Sequence, residues 1–132
     1  TLTARRHLFC WVRYYQDYYY TIFCLLLYNG NMVTLFVKRA KNIGEKVIGL
    51  IGKEKPASLL IKTRFGIHTF GLKFPIDVLI LDKSNKIISI KKNLKPKRIF
   101  LWNPIYDTVL ELPVGTIDKK KIKINDIVNL KS

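Results

Sequence analysis

The sequence predicts a mainly β protein on the α+β borderline, a small β-sandwich or partly closed barrel with one amphipathic helix near its start. Three observations predict it. Short runs rich in β-branched and aromatic residues recur from Met32 onward, and glycine, proline, asparagine and aspartate punctuate them. One run, IDVLILD at 76–82, is apolar at nearly every position. A strand with one wet face alternates, so a strand that is apolar on both faces belongs inside the molecule. With 132 residues the chain has room for one such core.

Taken in order, Met32 to Val37 (MVTLFV) reads as a first strand that ends at Lys38 and Arg39. A helix follows. Asn42 supplies its cap and Glu45 completes a capping box, while Ile43, Val47, Ile48 and Ile51 share one face and Gly52 stops it. Leu59 to Lys62 and Ile67 to Phe70 are short strands, separated by Arg64, Phe65 and Gly66. Pro75 opens the central strand, with Ile76, Val78 and Ile80 on one face and Leu79 and Leu81 on the other. DKSN at 82–85 makes a four-residue hairpin loop, and KIISIK at 86–91 returns with Ile88 and Ile90 inward. Arg98 to Trp102 and Thr108 to Leu112 are two further strands parted by Asn103 and Pro104. Pro113 to Thr116 closes the second of these, and Ile127 to Leu130 gives a last edge. Lys119 to Lys121 fall on a solvated turn before Ile122 and Ile124.

Residues 1–31 differ in composition from this domain. They hold both cysteines, Cys10 and Cys24, most of the tyrosines, and the apolar run YYYTIFCLLLY at 18–28. That run is short of the roughly 20 residues of a spanning helix, and extending it back to Leu8 would take Arg13 and Asp17 into the bilayer. Asn29, Gly30 and Asn31 lack the small-residue pattern of a cleavage site. Because Met32 is the sole methionine and opens a clean strand, the segment reads as a leader of translated upstream sequence. Its rival is a membrane anchor flanked by Lys38, Arg39, Lys41 and Lys46. Residues 32–132 then form the single domain, cytoplasmic on the first reading and membrane-anchored through residues 8–28 on the second.

The leader's only formally charged side chains are Arg5, Arg6, Arg13 and Asp17, so +13 of the net +15 belongs to residues 32–132. Such a field draws nucleic acid or anionic surfaces, and it also serves solubility alone. The domain lacks cysteine and glutamine and is dense in lysine and isoleucine, a composition like that of thermophilic proteins. Without thiols it has no disulfide, thiolate metal site or cysteine nucleophile.

The stretch TRFGIHTFGLKFPIDVLILD at 63–82, with NLKP at 93–96 and VLELPVG at 109–115, resembles the DUF192 family, whose pattern runs from a histidine-threonine-phenylalanine-glycine segment into proline-isoleucine-aspartate and on to a leucine-glutamate-leucine segment ending in glycine. The resemblance spans Met32 to Leu130. Leu72 stands where the family often has methionine, a volume-conserving change, and Asn125 where many members have glycine. The resemblance implies a jelly-roll-like sandwich in a family with exported and cytosolic members and no established activity. It carries over no catalytic or ligand residue.

Two constellations therefore rest on physics alone. Arg64, His68, Lys73 and Asp77 mark a candidate cleft at the end of the central strand. A carboxylate inside an apolar strand needs a partner, so Asp77 either accepts neighbouring backbone amides or pairs with Arg64, or else orients His68 as an acid or base. Lys91, Lys92, Lys95, Lys97 and Arg98, with Phe100, Trp102 and Tyr106 close behind, mark a candidate anion-binding run suited to single-stranded nucleic acid. The plainer reading turns Phe100 and Trp102 into the core and leaves the lysines as a solvated edge. One histidine and one carboxylate make a poor metal site, and no phosphate loop or nucleophile elbow is present, so no metal, cofactor or catalytic residue is assigned. The first-ranked function is a non-enzymatic module that binds a small ligand or a protein. Nucleic-acid binding and a His/Asp enzyme are the alternatives, and the oligomeric state is open.

Overall fold

The computed structural model describes residues 30–40, 54 and 56–132, and the chain is mainly β among them. In chain order the strands are β1 (Met32–Phe36), β2 (Lys38–Arg39), β3 (Leu59–Lys62), β4 (Ile67–His68), β5 (Ile76–Leu81), β6 (Ile87–Leu94), β7 (Ile99–Phe100), β8 (Thr108–Pro113) and β9 (Ile127–Lys131). Among the described residues a single short helix, α1 (Thr116–Lys119), precedes β9. The helix expected over 42–51 and the leader up to residue 29 lie outside the described residues.

The broad sheet has the order β2-β3-β8-β5-β6, and every residue of β5 is buried. Ile76, Val78 and Ile80 project into one apolar cluster with Leu59, Ile61, Leu94 and Val109. Leu79 and Leu81 project into the other, with Ile87, Leu110 and Leu112. This is the two-faced placement that an unbroken apolar run requires.

Each face is closed by a two-stranded ribbon. The parallel pair of β1 and β9 brings Leu35 and Val128 onto the Leu79 face, joined there by Ile117 of α1 and by Ile122. The antiparallel pair of β4 and β7 lays Ile67 and Phe100 on the Ile80 face. The layers are thus ribbon, five-stranded sheet, ribbon. This is an uneven sandwich, and among the described residues no sheet closes into a barrel.

Several elements depart from the sequence expectations for local reasons. Lys38 and Arg39, expected to end the first strand, form a strand of their own: the chain switches sheets at Val37, whose N–H donates to Lys131 O at 2.8 Å, and Lys38 then donates to Ser58 O at 3.0 Å. Asn31, placed in the leader by the sequence reading, is tied to the domain, because its N–H donates to the Asp126 carboxylate at 2.9 Å and its carbonyl accepts from Ile127. Ile88 was expected inward but is only partly buried, and Ile87 takes the core position. Pairing of Leu81 with Ile87 and of Ile80 with Ser89 leaves Ile88 as the extra residue of a bulge.

The hairpin closes as expected, although Asp82 N–H to Lys86 O shortens its loop to Lys83–Asn85, with Asn85 left-handed at φ 61°. The Asp82 carboxylate accepts from Ser84 and Lys86 amides and holds the turn. Asn125, at φ 75°, does adopt the left-handed conformation that its place in the chain demands. The turn of α1 has no signature in the sequence. Four residues are too few to display a helical period, and Gly115 before it offers no side-chain cap.

Candidate functional site

Asp77 faces the Leu79 side of the sheet. Its Oδ1 accepts the Asn93 N–H at 2.9 Å and its Oδ2 accepts the Ile117 N–H at 3.1 Å. The β6 ladder makes the first bond possible. Between the Ile76–Leu94 and Val78–Lys91 pairs it carries an irregularity in which Asn93 takes φ 50°. The second bond stands in for the cap that Gly115 cannot supply, so a side chain from β5 starts α1. A buried carboxylate with two amide donors is the backbone-pairing alternative of the sequence reading.

His68 lies across the sheet from Asp77. Its strand partner is Ile99, and their neighbours Ile67 and Phe100 are the pair that packs inward on the Ile80 face. Alternation therefore points His68 and Ile99 outward. The imidazole stands 5.7 Å from the Phe70 ring, centroid to centroid. The proposed His68–Asp77 couple is not assembled, because residues of opposite register on two different layers have the five-stranded sheet between them.

Arg64 does not pair with Asp77 either. Its guanidinium donates to Pro104 O at 2.9 Å, to Ile105 O at 3.3 Å and to Asp107 Oδ2 at 3.4 Å, and so holds the 104–107 turn against the 64–66 turn. Burial works to raise the Asp107 carboxyl, but the Thr108 hydroxyl and the charges of Lys62 and Arg64 outweigh it and hold the group below its ordinary value. Lys73 is exposed in the loop before β5.

What organises this end of the molecule is Thr69, which the sequence reading passed over. Its buried hydroxyl donates to Lys95 O at 2.7 Å and accepts the Arg98 N–H at 2.9 Å, while its carbonyl accepts the Lys97 N–H at 3.1 Å. A single threonine thus pulls the basic loop 95–98 onto the chain between His68 and Phe70. Its mark in the sequence is its place in the histidine-threonine-phenylalanine-glycine segment, which says nothing of the bonds it makes.

The basic run itself is divided. Lys92 bonds Asp118 of α1 at 2.5 Å on the Leu79 side, whereas Lys91 sits opposite Val78, on the other side of the strand. Lys95, Lys97 and Arg98 remain together at Thr69 and exposed. Phe100 and Trp102 pack on the Ile80 cluster, their rings 5.8 Å apart, and the indole N–H donates to Tyr106 O at 2.9 Å. The rings are core, and Ile99 and Leu101 take the outward positions that alternation leaves them.

Outward apolar side chains are the main feature of this end. Phe65 is 89% exposed, Leu101 68%, Ile105 65% and Ile99 63%. They are brought together by short-range geometry. Gly66 sits at φ +89°, and a Cβ there would fall 2.4 Å from Leu101 Cδ2, so the leucine side chain lies across the glycine next to Phe65. Arg64, on the other side of Phe65, holds Ile105. An open depression of about 680 Å³, lined by Phe36, Val37, Lys38, Arg39, Ser58 and Ser132, contains none of the sequence candidates. Among the described residues no three His, Cys, Asp or Glu side chains converge as a metal site. No described helix is long and apolar enough to cross a membrane.

The family model DUF192, described as Uncharacterized ACR, matches residues 26–130. No curated protein matches the chain. Among solved structures, a protein of unknown function from Novosphingobium aromaticivorans is similar with a TM-score of 0.62 at 16% identity, over 69% of this chain and 71% of that one. A protein of Sinorhizobium meliloti, provisionally described as a transcription regulator, is similar with a TM-score of 0.58 at 20% identity, over 69% of this chain and 78% of that one. At these identities the likeness is one of fold.

Proposed function

Since this chain belongs to the DUF192 family, for which no activity is described, we propose from its own surface that it is a non-enzymatic binding module whose contact face is the outer side of the β4–β7 ribbon and the turns beside it. The observation that carries this reading is the gathering of Phe65, Ile99, Leu101 and Ile105, all more than 60% exposed, at one end of the molecule. Large exposed apolar patches rimmed by polar groups are characteristic of contact surfaces. The rim is cationic, with Lys95, Lys97 and Arg98 held at Thr69. Of the original cleft residues, Arg64 and His68 fall at this face, whereas Asp77 serves the frame. The face is open rather than enclosed, which suits an extended partner better than a small molecule. A cytoplasmic site of action fits this reading.

Backbone amide mapping tests it. During titration of the isotope-labelled chain with acidic, hydrophobic peptides and other anionic probes, shifts concentrated at 65–70 and 97–105 are expected. Perturbation confined to other surfaces, or none with any class of probe, would remove the proposal.

A further inference from the structure

The composition of this face selects among partners. Ile99, Leu101 and Ile105 are aliphatic and offer no plane on which a nucleobase stacks, and the rings of Phe100 and Trp102 are turned inward onto the core and one another, which leaves Phe65, His68 and Phe70 as the exposed rings of a face whose apolar area is mostly aliphatic. The apolar tips stand on three separate turns: Phe65 between Arg64 and Gly66, Leu101 after β7, and Ile105 after Pro104. Side chains so exposed at turn tips project as points. Projecting apolar tips suit a deformable apolar medium.

Charge points the same way. Segments 63–76 and 94–106 contain Arg64, Lys73, Lys95, Lys97 and Arg98 and no carboxylate at all. The nearest acid across the turn, Asp107, is engaged by Lys62 and Arg64. Basic side chains beside apolar tips are the arrangement that anionic headgroups over hydrocarbon attract.

Resting on the contact face argued above, we infer that its occupant is an anionic phospholipid bilayer surface. Phe65, Leu101 and Ile105 enter the interface, and Lys95, Lys97 and Arg98 lie over the headgroup phosphates. The domain rests on the membrane through this end, with the β1–β9 ribbon on the far side of the sheet.

Co-sedimentation of the full chain with vesicles tests this, comparing phosphatidylcholine alone with phosphatidylcholine mixed with phosphatidylglycerol. Binding at least about tenfold stronger to the anionic vesicles is expected, weakening as salt is raised. The double variant Phe65→Ser, Leu101→Ser changes only exposed side chains, and its partitioning should fall about tenfold or more, with its thermal unfolding unchanged. Charge reversal at Lys97 and Arg98 should abolish the preference for anionic lipid. Absence of vesicle binding, or binding that neither variant alters, overturns the lipid inference. If vesicles fail while an acidic peptide or a single-stranded oligonucleotide shifts the amides of 65–70 and 97–105, the contact face stands and only its occupant is wrong.

Discussion

At the scale of single residues, three positions link distant parts of the chain, and each makes a testable demand. Asp77 accepts amides from β6 and from α1 in a buried setting, so Asp77→Ala strands two donors. Unfolding by denaturant should show a loss of about 3 kcal/mol, with Asp77→Asn losing roughly half as much because one acceptor remains. Gly66 combines a left-handed backbone with a close approach to Leu101 and the Phe100 carbonyl, so Gly66→Ala should destabilise by about 2 kcal/mol and displace Leu101. Asp107 sets a pH dependence. Its folded pKa lies below the ordinary 3.8, so its bonds to Thr108, Lys62 and Arg64 add stability above that pH, and the contribution disappears as acid carries the pH through the lower folded value. Acid titration of Asp107→Asn should therefore lack part of the stability loss seen below about pH 4 in the parent chain, while differing little at neutral pH because the pairs are exposed.

At the scale of elements, β5 and β8 carry the fold. β8 pairs with β3 and β5, β5 with β8 and β6, and the side chains of both strands fill clusters on the two faces of the sheet. Replacing Ile80 by alanine opens a hole in one cluster and should cost about 3 kcal/mol in the same denaturant measurement, and Leu110→Ala should cost as much in the other. A much smaller loss at either position would mean that the β5–β8 pair is not the centre of the molecule. Short elements obey different rules. β7 was expected over five residues and forms over two, because Lys97 and Arg98 are bonded to Thr69 and Trp102 turns to reach the Tyr106 carbonyl. Long-range bonds, invisible to local propensity, ended that strand at both sides.

At the scale of the whole molecule, the proposed contact face and the elements that carry stability are segregated. The two sides of the broad sheet are buried, while the exposed large apolar groups of the proposed contact face stand on the outermost layer. Amide hydrogen exchange should consequently be slowest in β5 and β8 and markedly faster in the two-residue strands β4 and β7, whose opening leaves the sheet intact. Equal protection across the three layers would contradict that separation. The domain's basic charge is also partitioned, with Lys92 spent on Asp118, Lys62 and Arg64 on Asp107, and Lys95, Lys97 and Arg98 left to the contact face.

The sequence by itself determined the β class, the position and two-sidedness of IDVLILD and the hairpin with its loop at 82–85, because each follows from the period of apolar residues along a few neighbouring positions, and it offered the inward turn of Phe100 and Trp102 as one of two readings. It also required that Asp77 have a partner. Only the tertiary structure decided that the partners are the amides of Asn93 and Ile117, that Arg64 serves the 104–107 turn instead, and that His68 stands on the opposite layer. It alone revealed Thr69 as the clasp of the basic loop and drew Phe65, Leu101 and Ile105 from three turns to one end. The physical reason is range: alternation fixes which face a side chain takes, but which layer covers that face depends on contacts dozens of residues apart, closed by bonds that leave no periodic trace.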